Sequence, residues 1–263
     1  MDAAGRPSQG DLVARLRAAG CVYAEEEAAV LLEAADEGGD LEALVGRRVA
    51  GDPLEHVVGW AEFCGLRVGV SDGVFVPRRR TEELVDRAVL LAPRAGVVVD
   101  LCCGTGALGL AFAARVEIDE LHAVDVEPRA VACARRNFEA WSRPAGSVHE
   151  GDLFEALPDD LRGRVDVLLA NTPYVPTEEI ALLPGEARDH EPTVTLDGGE
   201  DGLDVARRVV DGAREWLAPG GWVFIEASDR QSSTLREHME RRGLTASIRD
   251  SVVAGNRRPA GPL

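Results

Sequence analysis

The chain has 263 residues, 45% of them hydrophobic, with 46 acidic and 29 basic side chains and a formal net charge of -17. A chain this acidic is expected to be soluble and to be repelled by DNA, RNA and anionic membrane surfaces, which weighs against functions that track a phosphate backbone. Apart from the five histidines every basic residue is arginine, which excludes chemistry built on a Schiff-base or phosphate-loop lysine.

The opening residues, MDAAGRPSQGDL, lack the apolar core of a secretion signal. No apolar run approaches the roughly 18 residues needed to cross a bilayer, so no membrane association is expected. The cysteines Cys21, Cys64, Cys102, Cys103 and Cys133 form no Cys-x-x-Cys pair. Reduced thiols in a cytoplasmic protein are the expectation. The histidines show no ligand spacing, and no metal site is expected.

Three amphipathic segments come first. One runs from about Asp11 to Ala19, one from Ala24 to Glu37, and one starts at a candidate N-cap, Asp40, with Leu41, Leu44 and Val45 on one face. Each is too short to be stable alone, so together they should form a small docked bundle. LRVGV and VFVPR flank Ser71-Asp72-Gly73 and read as a hairpin closed by Pro77. Thr81 reads as the N-cap of a helix to about Leu91, with Glu82 and Glu83 in its first turn. Arg78 to Arg80, the densest basic run, reads as a solvated helix entry or a contact for an acidic or RNA-rich partner.

From Gly96 onward strands and helices alternate. Strands are expected near 97–101, 120–124, 148–151, 165–170 and 222–226, and helices near 107–115, 128–141, 203–217 and 232–242. The tail NRRPAGPL reads as loose. This alternation predicts an α/β fold with a mostly parallel, doubly wound sheet, whose ligands sit beyond the carboxyl ends of the strands. The expected division is a helical domain over 1–64, a β-hairpin linker over 65–80 and a sheet domain over 81–263.

Those strand ends carry chemistry. The first reads VVVDLCCGTGALG, with Gly104, Gly106 and Gly109 spaced as G-x-G-x-x-G. Glycines there allow close backbone approach at a tight strand-to-helix turn, in dinucleotide enzymes as well as others. Asp100 precedes the loop; a carboxylate there would repel a pyrophosphate and pair with a cationic amino-acid group. The pattern D-x-x-x-G-x-G resembles the first motif of S-adenosylmethionine-dependent methyltransferases. Asp125, closing HAVDVEP, is placed to accept from a ribose diol. Asp152 in EGDLF is placed to accept from an adenine amino group, with Leu153 against the base. A lone strand-end Asp is commonly a turn residue; three in succession beside a glycine loop favour a nucleoside ligand.

The fourth strand ends in LLANTPYVP. Pro173 biases Thr172 toward extended backbone, turning its carbonyl outward. Asn171 adds a side-chain carbonyl, and Tyr174 a flat face. Two convergent acceptors and a platform suit a planar –NH2 group. Accepting both of its hydrogens favours the more tetrahedral nitrogen that forms as it attacks a methyl donor.

The tetrapeptide resembles the [ND]-P-P-[YF] motif of methyltransferases acting on planar amino groups, with Thr172 where the motif has its first proline. GDPLEHVVGWAEFCGLRVGVSDGVFVPRRRTEELV, EARDHEPTVTLDGGEDGLD and LAPGGWVFIEASDRQ, including Gln231, resemble the HemK/PrmC family, the protein N(5)-glutamine methyltransferases. The resemblance spans Asp52 to Gln231. It implies a Rossmann-like class I methyltransferase domain, S-adenosyl-L-methionine as cofactor, and N-terminal helices that help dock a protein substrate. That substrate would be the Gly-Gly-Gln loop of class I peptide chain release factors. It places Cys102, Cys103, Gly104, Thr105, Gly106, Asp125, Leu153 and Asn171 at the cofactor, and Asn171 to Tyr174 at the substrate. Other readings are another protein glutamine as target, adenine N6-methylation of nucleic acid, a non-catalytic binding module, and a dehydrogenase. The oligomeric state is left open.

Overall fold

Short helices with one apolar face must bury it against each other. The structure, a computed structural model that describes residues 7–141 and 146–258, shows four doing so. They are α1 (Gln9–Ala18), α2 (Ala24–Asp36), α3 (Leu41–Val49) and α4 (Leu54–Val58), around Leu12, Leu16, Leu31 and Val45. Asp40 caps α3 as expected, accepting from the Glu42 and Ala43 amides at 3.1 and 3.3 Å. Arg48, on α3, is buried and meets Glu27 of α2 with two hydrogen bonds, at 2.6 and 3.0 Å. It also reaches Glu186 at 2.6 Å, far along the chain. Buried charge is tolerated when paired in this way, so Arg48 joins the bundle to the segment around Glu186.

The hairpin lies earlier than the sequence reading placed it. β1 (Trp60–Phe63) pairs antiparallel with β2 (Leu66–Gly69) around Cys64-Gly65, both at positive φ (51° and 74°). Positive φ at both central residues is what a two-residue hairpin turn of matching twist requires. The segment after Ser71-Asp72-Gly73 forms no strand. Its alternation comes from burial, because Val76 packs on Ala61 and Val70 while Val74 packs on Ala130 and Cys133.

Thr81 is not a cap. It ends a short 3-10 turn, Arg79–Thr81, in right-handed helical backbone, and its hydroxyl is buried without a partner. The helix α5 (Glu82–Leu91) is therefore entered one turn earlier than expected.

The rest is one seven-stranded sheet. Its elements run β3 (Val97–Leu101), α6 (Ala107–Ala113), β4 (Glu120–Asp125), α7 (Pro128–Ala140), β5 (Gly146–Glu150), β6 (Val165–Ala170), α8 (Gly185–His190), α9 (Asp204–Trp216), β7 (Leu217–Glu226), α10 (Asp229–Arg241), β8 (Thr245–Arg249) and β9 (Val252–Asn256). The strand order is β5-β4-β3-β6-β7-β9-β8, with β9 antiparallel to both β7 and β8. Val98 and Leu169 face one apolar layer with Phe112; Val99 and Leu168 face the other with Trp216. Continuous apolar strands are the signature of a sheet covered on both faces. Among the described residues no helix is long and apolar enough to cross a membrane.

Strands β8 and β9 were not anticipated. β8 is largely exposed and carries no alternation for a sequence reading to detect. The start of the supposedly loose tail is tied down: Asn256 ends β9, and Arg257 exchanges backbone hydrogen bonds with Gly220 and Gly221 at 2.7 and 2.9 Å. The remainder of the tail, from residue 259, lies outside the described residues, as do residues 1–6.

Candidate functional site

Strand order reverses between β3 and β6, since β3 leads outward to β4 on one side while β6 lies on its other side. Such a switch point opens a crevice beyond the carboxyl ends. A cleft of about 250 Å3 lies there, lined by Cys102 to Thr105, Asp125, Asp152, Leu153 and Asn171 to Tyr174. Most of the residues singled out from sequence thus converge on one cavity. Asp100 and Gly106 do not line it.

The glycine loop shows why. Gly104 has φ +55°, and a side chain there would meet nothing nearer than the Phe75 carbonyl at 4.0 Å. That glycine keeps space open on the cleft side. Gly106 has φ +79°, and a Cβ would strike Phe138 at 2.7 Å, so its reason is packing behind the loop. Asp100 is fully buried, and one oxygen accepts from the Gly109 amide of α6 at 2.9 Å. It sits behind the loop and does not line the cleft, and its other oxygen is buried without a hydrogen-bond partner. Burial pushes its carboxyl up to about 7, against the pull of that hydrogen bond.

Asp125 closes β4. Its two oxygens accept from the Gly104 amide at 2.8 Å and the Glu127 amide at 2.9 Å. Each carboxylate oxygen keeps a second lone pair, so the group steers the loop and retains acceptor capacity toward the cleft. Burial raises its pKa, and those amide hydrogen bonds oppose the rise.

Asp152 pairs with Arg208 of α9 at 2.7 Å, a partner the sequence reading did not see. Leu153 lines the cleft at φ +48°, and Cys102 does so at φ +55°. Two non-glycine residues in left-handed backbone at one cavity are the kind of strain that gathers at ligand sites. Burial pushes the Cys102 and Cys103 thiols up, which keeps them neutral and makes them poor nucleophiles.

At the end of β6, Asn171 Oδ1 and Thr172 Oγ1 are both buried without hydrogen-bond partners. Thr105 Oγ1, in the facing loop, is in the same state. Buried polar atoms are normally satisfied; with the Thr81 hydroxyl, which also lines the cleft, four orphans around it fit a polar ligand that completes them.

The basic run beside the cleft is not a free patch. Arg78 pairs with Glu191 at 2.5 Å and Arg80 with Glu226 at 3.0 Å, and both acids are buried. Arg80 also lies over the Tyr174 ring, 5.0 Å from its centre. Glu226 is the last residue of β7, in register one step beyond the Ala170–Ile225 pair. Sequence signal for it existed, since it is a further carboxylate at a strand end, in WVFIEAS. Phe63, Phe75 and Leu196, which line the cleft from outside the strand ends, carried no such signal.

The chain is similar to known methyltransferases in sequence and fold. The model of the methyltransferase small domain matches residues 81–183. The release factor glutamine methyltransferase of Geobacter sulfurreducens is 39% identical over 76% of this chain and 69% of its own. That of Streptomyces coelicolor is 43% identical over 72% of this chain and 67% of its own. Among solved structures, a T. thermophilus 16S rRNA methyltransferase in complex with AdoMet and guanosine aligns with a TM-score of 0.55 at 22% identity. It covers 76% of this chain and 50% of that one, and it supports the fold.

Proposed function

The chain belongs to the release factor glutamine methyltransferase family, and from that membership we propose that it methylates the side-chain amide nitrogen of a glutamine in the Gly-Gly-Gln loop of class I peptide chain release factors. The observation that carries this reading is the position of Asn171-Thr172-Pro173-Tyr174, which shares one cleft with the glycine loop and Asp125. When bound, S-adenosylmethionine supplies an electrophilic methyl group.

The residues of the chain do the rest. Gly104 and Thr105 admit the cofactor's amino-acid part, Asp125 accepts from its ribose, and Asp152 and Leu153 face its base. Asp100 and Gly106 act behind the loop by fixing the first turn of α6 and its packing. The Asn171 side-chain carbonyl and the Thr172 main-chain carbonyl accept the two N–H bonds of the glutamine amide, and Tyr174 supports its plane. An amide nitrogen is a weak nucleophile because its lone pair is delocalised. Two fixed acceptors favour the pyramidal nitrogen in which that lone pair is free to form the new N–C bond as the donor's S–CH3 bond breaks, its electron pair staying on the sulfur. The nitrogen then releases one proton to water, so no strong base is needed before attack. Holding the nitrogen against the donor adds the gain of proximity.

The helices within residues 1–64 serve in this reading as a docking domain for the protein substrate, with 65–80 as linker and 81–263 as the methyltransferase domain. Peptide mapping by mass spectrometry tests the whole. Incubation with labelled cofactor and a class I release factor is expected to add one methyl group to the glutamine of Gly-Gly-Gln. Label on another protein glutamine, or on nucleic acid, would replace this target.

A further inference from the structure

We propose that Gln231 is a positioning residue for the amide clamp, fixing the main chain that follows Asn171 and Thr172 and so setting where their acceptors point. The inference rests on the clamp reading above. Gln231 sits in the first turn of α10 and is 7% exposed. Its Nε2 donates to the Tyr174 carbonyl at 2.8 Å and to the Asp201 carbonyl at 2.9 Å. Its Oε1 accepts from the Ser228 amide at 3.2 Å and the Ser228 hydroxyl at 2.6 Å. The donors and acceptors of this amide are filled, and it joins three chain segments.

The span it controls is short. The β6 ladder ends at Ala170, and the Tyr174 carbonyl is tied by Gln231, so Asn171, Thr172 and Pro173 lie between two fixed points. Beyond Tyr174, Val175 is held by Leu196 and Gly198 through backbone hydrogen bonds of 3.0 and 2.9 Å. Pro173 fixes its own φ and biases Thr172 toward extended backbone without pinning it; the second anchor supplies the remaining constraint.

A second observation agrees. Gly202 has φ +76°, and a Cβ there would lie 2.2 Å from both Gln231 Nε2 and the Tyr174 carbonyl oxygen. Glycine at this position leaves the passage through which the Gln231 amide reaches Tyr174.

The competing role is local, because Gln231 also completes a capping box with Ser228, three residues back. Two substitutions separate the roles. Gln231→Glu keeps an acceptor for Ser228, since Glu serves a capping box equally well, and removes the donors that hold Tyr174 and Asp201. Ser228→Ala weakens the cap and leaves Nε2 in place.

The experiment uses the full chain, a class I release factor and S-adenosylmethionine. For Gln231→Glu, kcat is expected to fall about 10–100-fold with the cofactor KM within about twofold, the scale of a misaimed reacting group. Amide exchange at Val175, Thr177 and Gly198 should rise. For Ser228→Ala the thermal midpoint should fall while kcat stays within about threefold, as expected for the loss of a cap alone. Gln231→Met serves if the Glu variant does not fold, with the same expectation. Wild-type kcat and exchange in the Gln231 variants, or an equal loss of kcat in Ser228→Ala, would overturn the proposal. If the wild-type enzyme leaves the release factor unmodified while exchange at Val175 still rises, the substrate reading fails and the tie stands.

Discussion

The two strand ends that face each other across the cleft are built on different plans. At the end of β3 the loop is held by α6, β4 and α7, the elements that follow it directly in the chain. The Gly106 amide donates to the Cys103 carbonyl at 2.7 Å, Asp125 takes the Gly104 amide, and Asp100 takes that of Gly109. At the end of β6 the chain is held by others. Tyr174 is tied by Gln231, 57 residues away, Val175 by the 196–198 turn, and the Tyr174 ring is covered by Arg80. A loop stabilised by its own neighbours can be read from a motif, whereas a segment stabilised from a distance shows only the groups it presents.

The comparison breaks most sharply at Asn171. Asn171→Ala is expected to lower kcat about 100–1000-fold, the usual loss when one preorganised group of a transition-state site is removed. Cofactor affinity by calorimetry and the thermal midpoint should barely move, because the backbone ties of this strand end do not pass through that side chain. Near-wild-type turnover would remove Asn171 from the clamp.

The glycine-loop side should show the opposite pattern. Gly106→Ala forces a side chain into left-handed backbone and onto Phe138. It should cost about 3 kcal/mol of stability by denaturant unfolding, from strain and overpacking together. Loss of activity there should follow loss of folded protein. A stable, inactive variant would instead move Gly106 into the cleft.

Asp100 sharpens the point through pH. In the folded protein its pKa is pushed by burial up to about 7, above the ordinary value of 3.8. Between those values the folded state binds the extra proton, so stability falls as pH rises and the penalty is complete above about 7. Asp100→Asn removes that penalty while keeping an acceptor for Gly109. Its stability relative to wild type should therefore improve from pH 4 to pH 8, by about 2 kcal/mol after allowance for relaxation around the buried group. A pH-independent difference would place the titration elsewhere.

The smallest effect belongs to the half-exposed pair of Asp152 and Arg208. Arg208→Met should change stability by less than about 1 kcal/mol, the range for ion pairs in contact with water. A large drop in cofactor affinity by calorimetry would show that the pair orients Asp152 toward the ligand.

Much of this site was legible because it is local. The glycine spacing, the strand-end Asp125 and the Asn-Thr-Pro-Tyr step each need only a few consecutive residues to be noticed, and Gly104, Asp125 and Asn171 to Tyr174 line one cleft. For Asp100 the sequence gives the distance from the loop and not the side from which it approaches. The hairpin misled because Val74 and Val76 alternate for burial against α7 and the strand pair, not for pairing. Arg78 and Arg80 looked solvated because Glu191 and Glu226, their partners, lie more than a hundred residues on.

Sequence alone determined the five parallel strands of the sheet, the positions of their ends and the chemical groups delivered there, because hydrophobic period and turn chemistry act over a few residues. Tertiary structure alone decided which of those groups face the cleft, which carboxylates are spent on arginines, and that Gln231 reaches Tyr174. Those outcomes depend on contacts between distant segments, which exist only after the sheet has formed and its layers have packed.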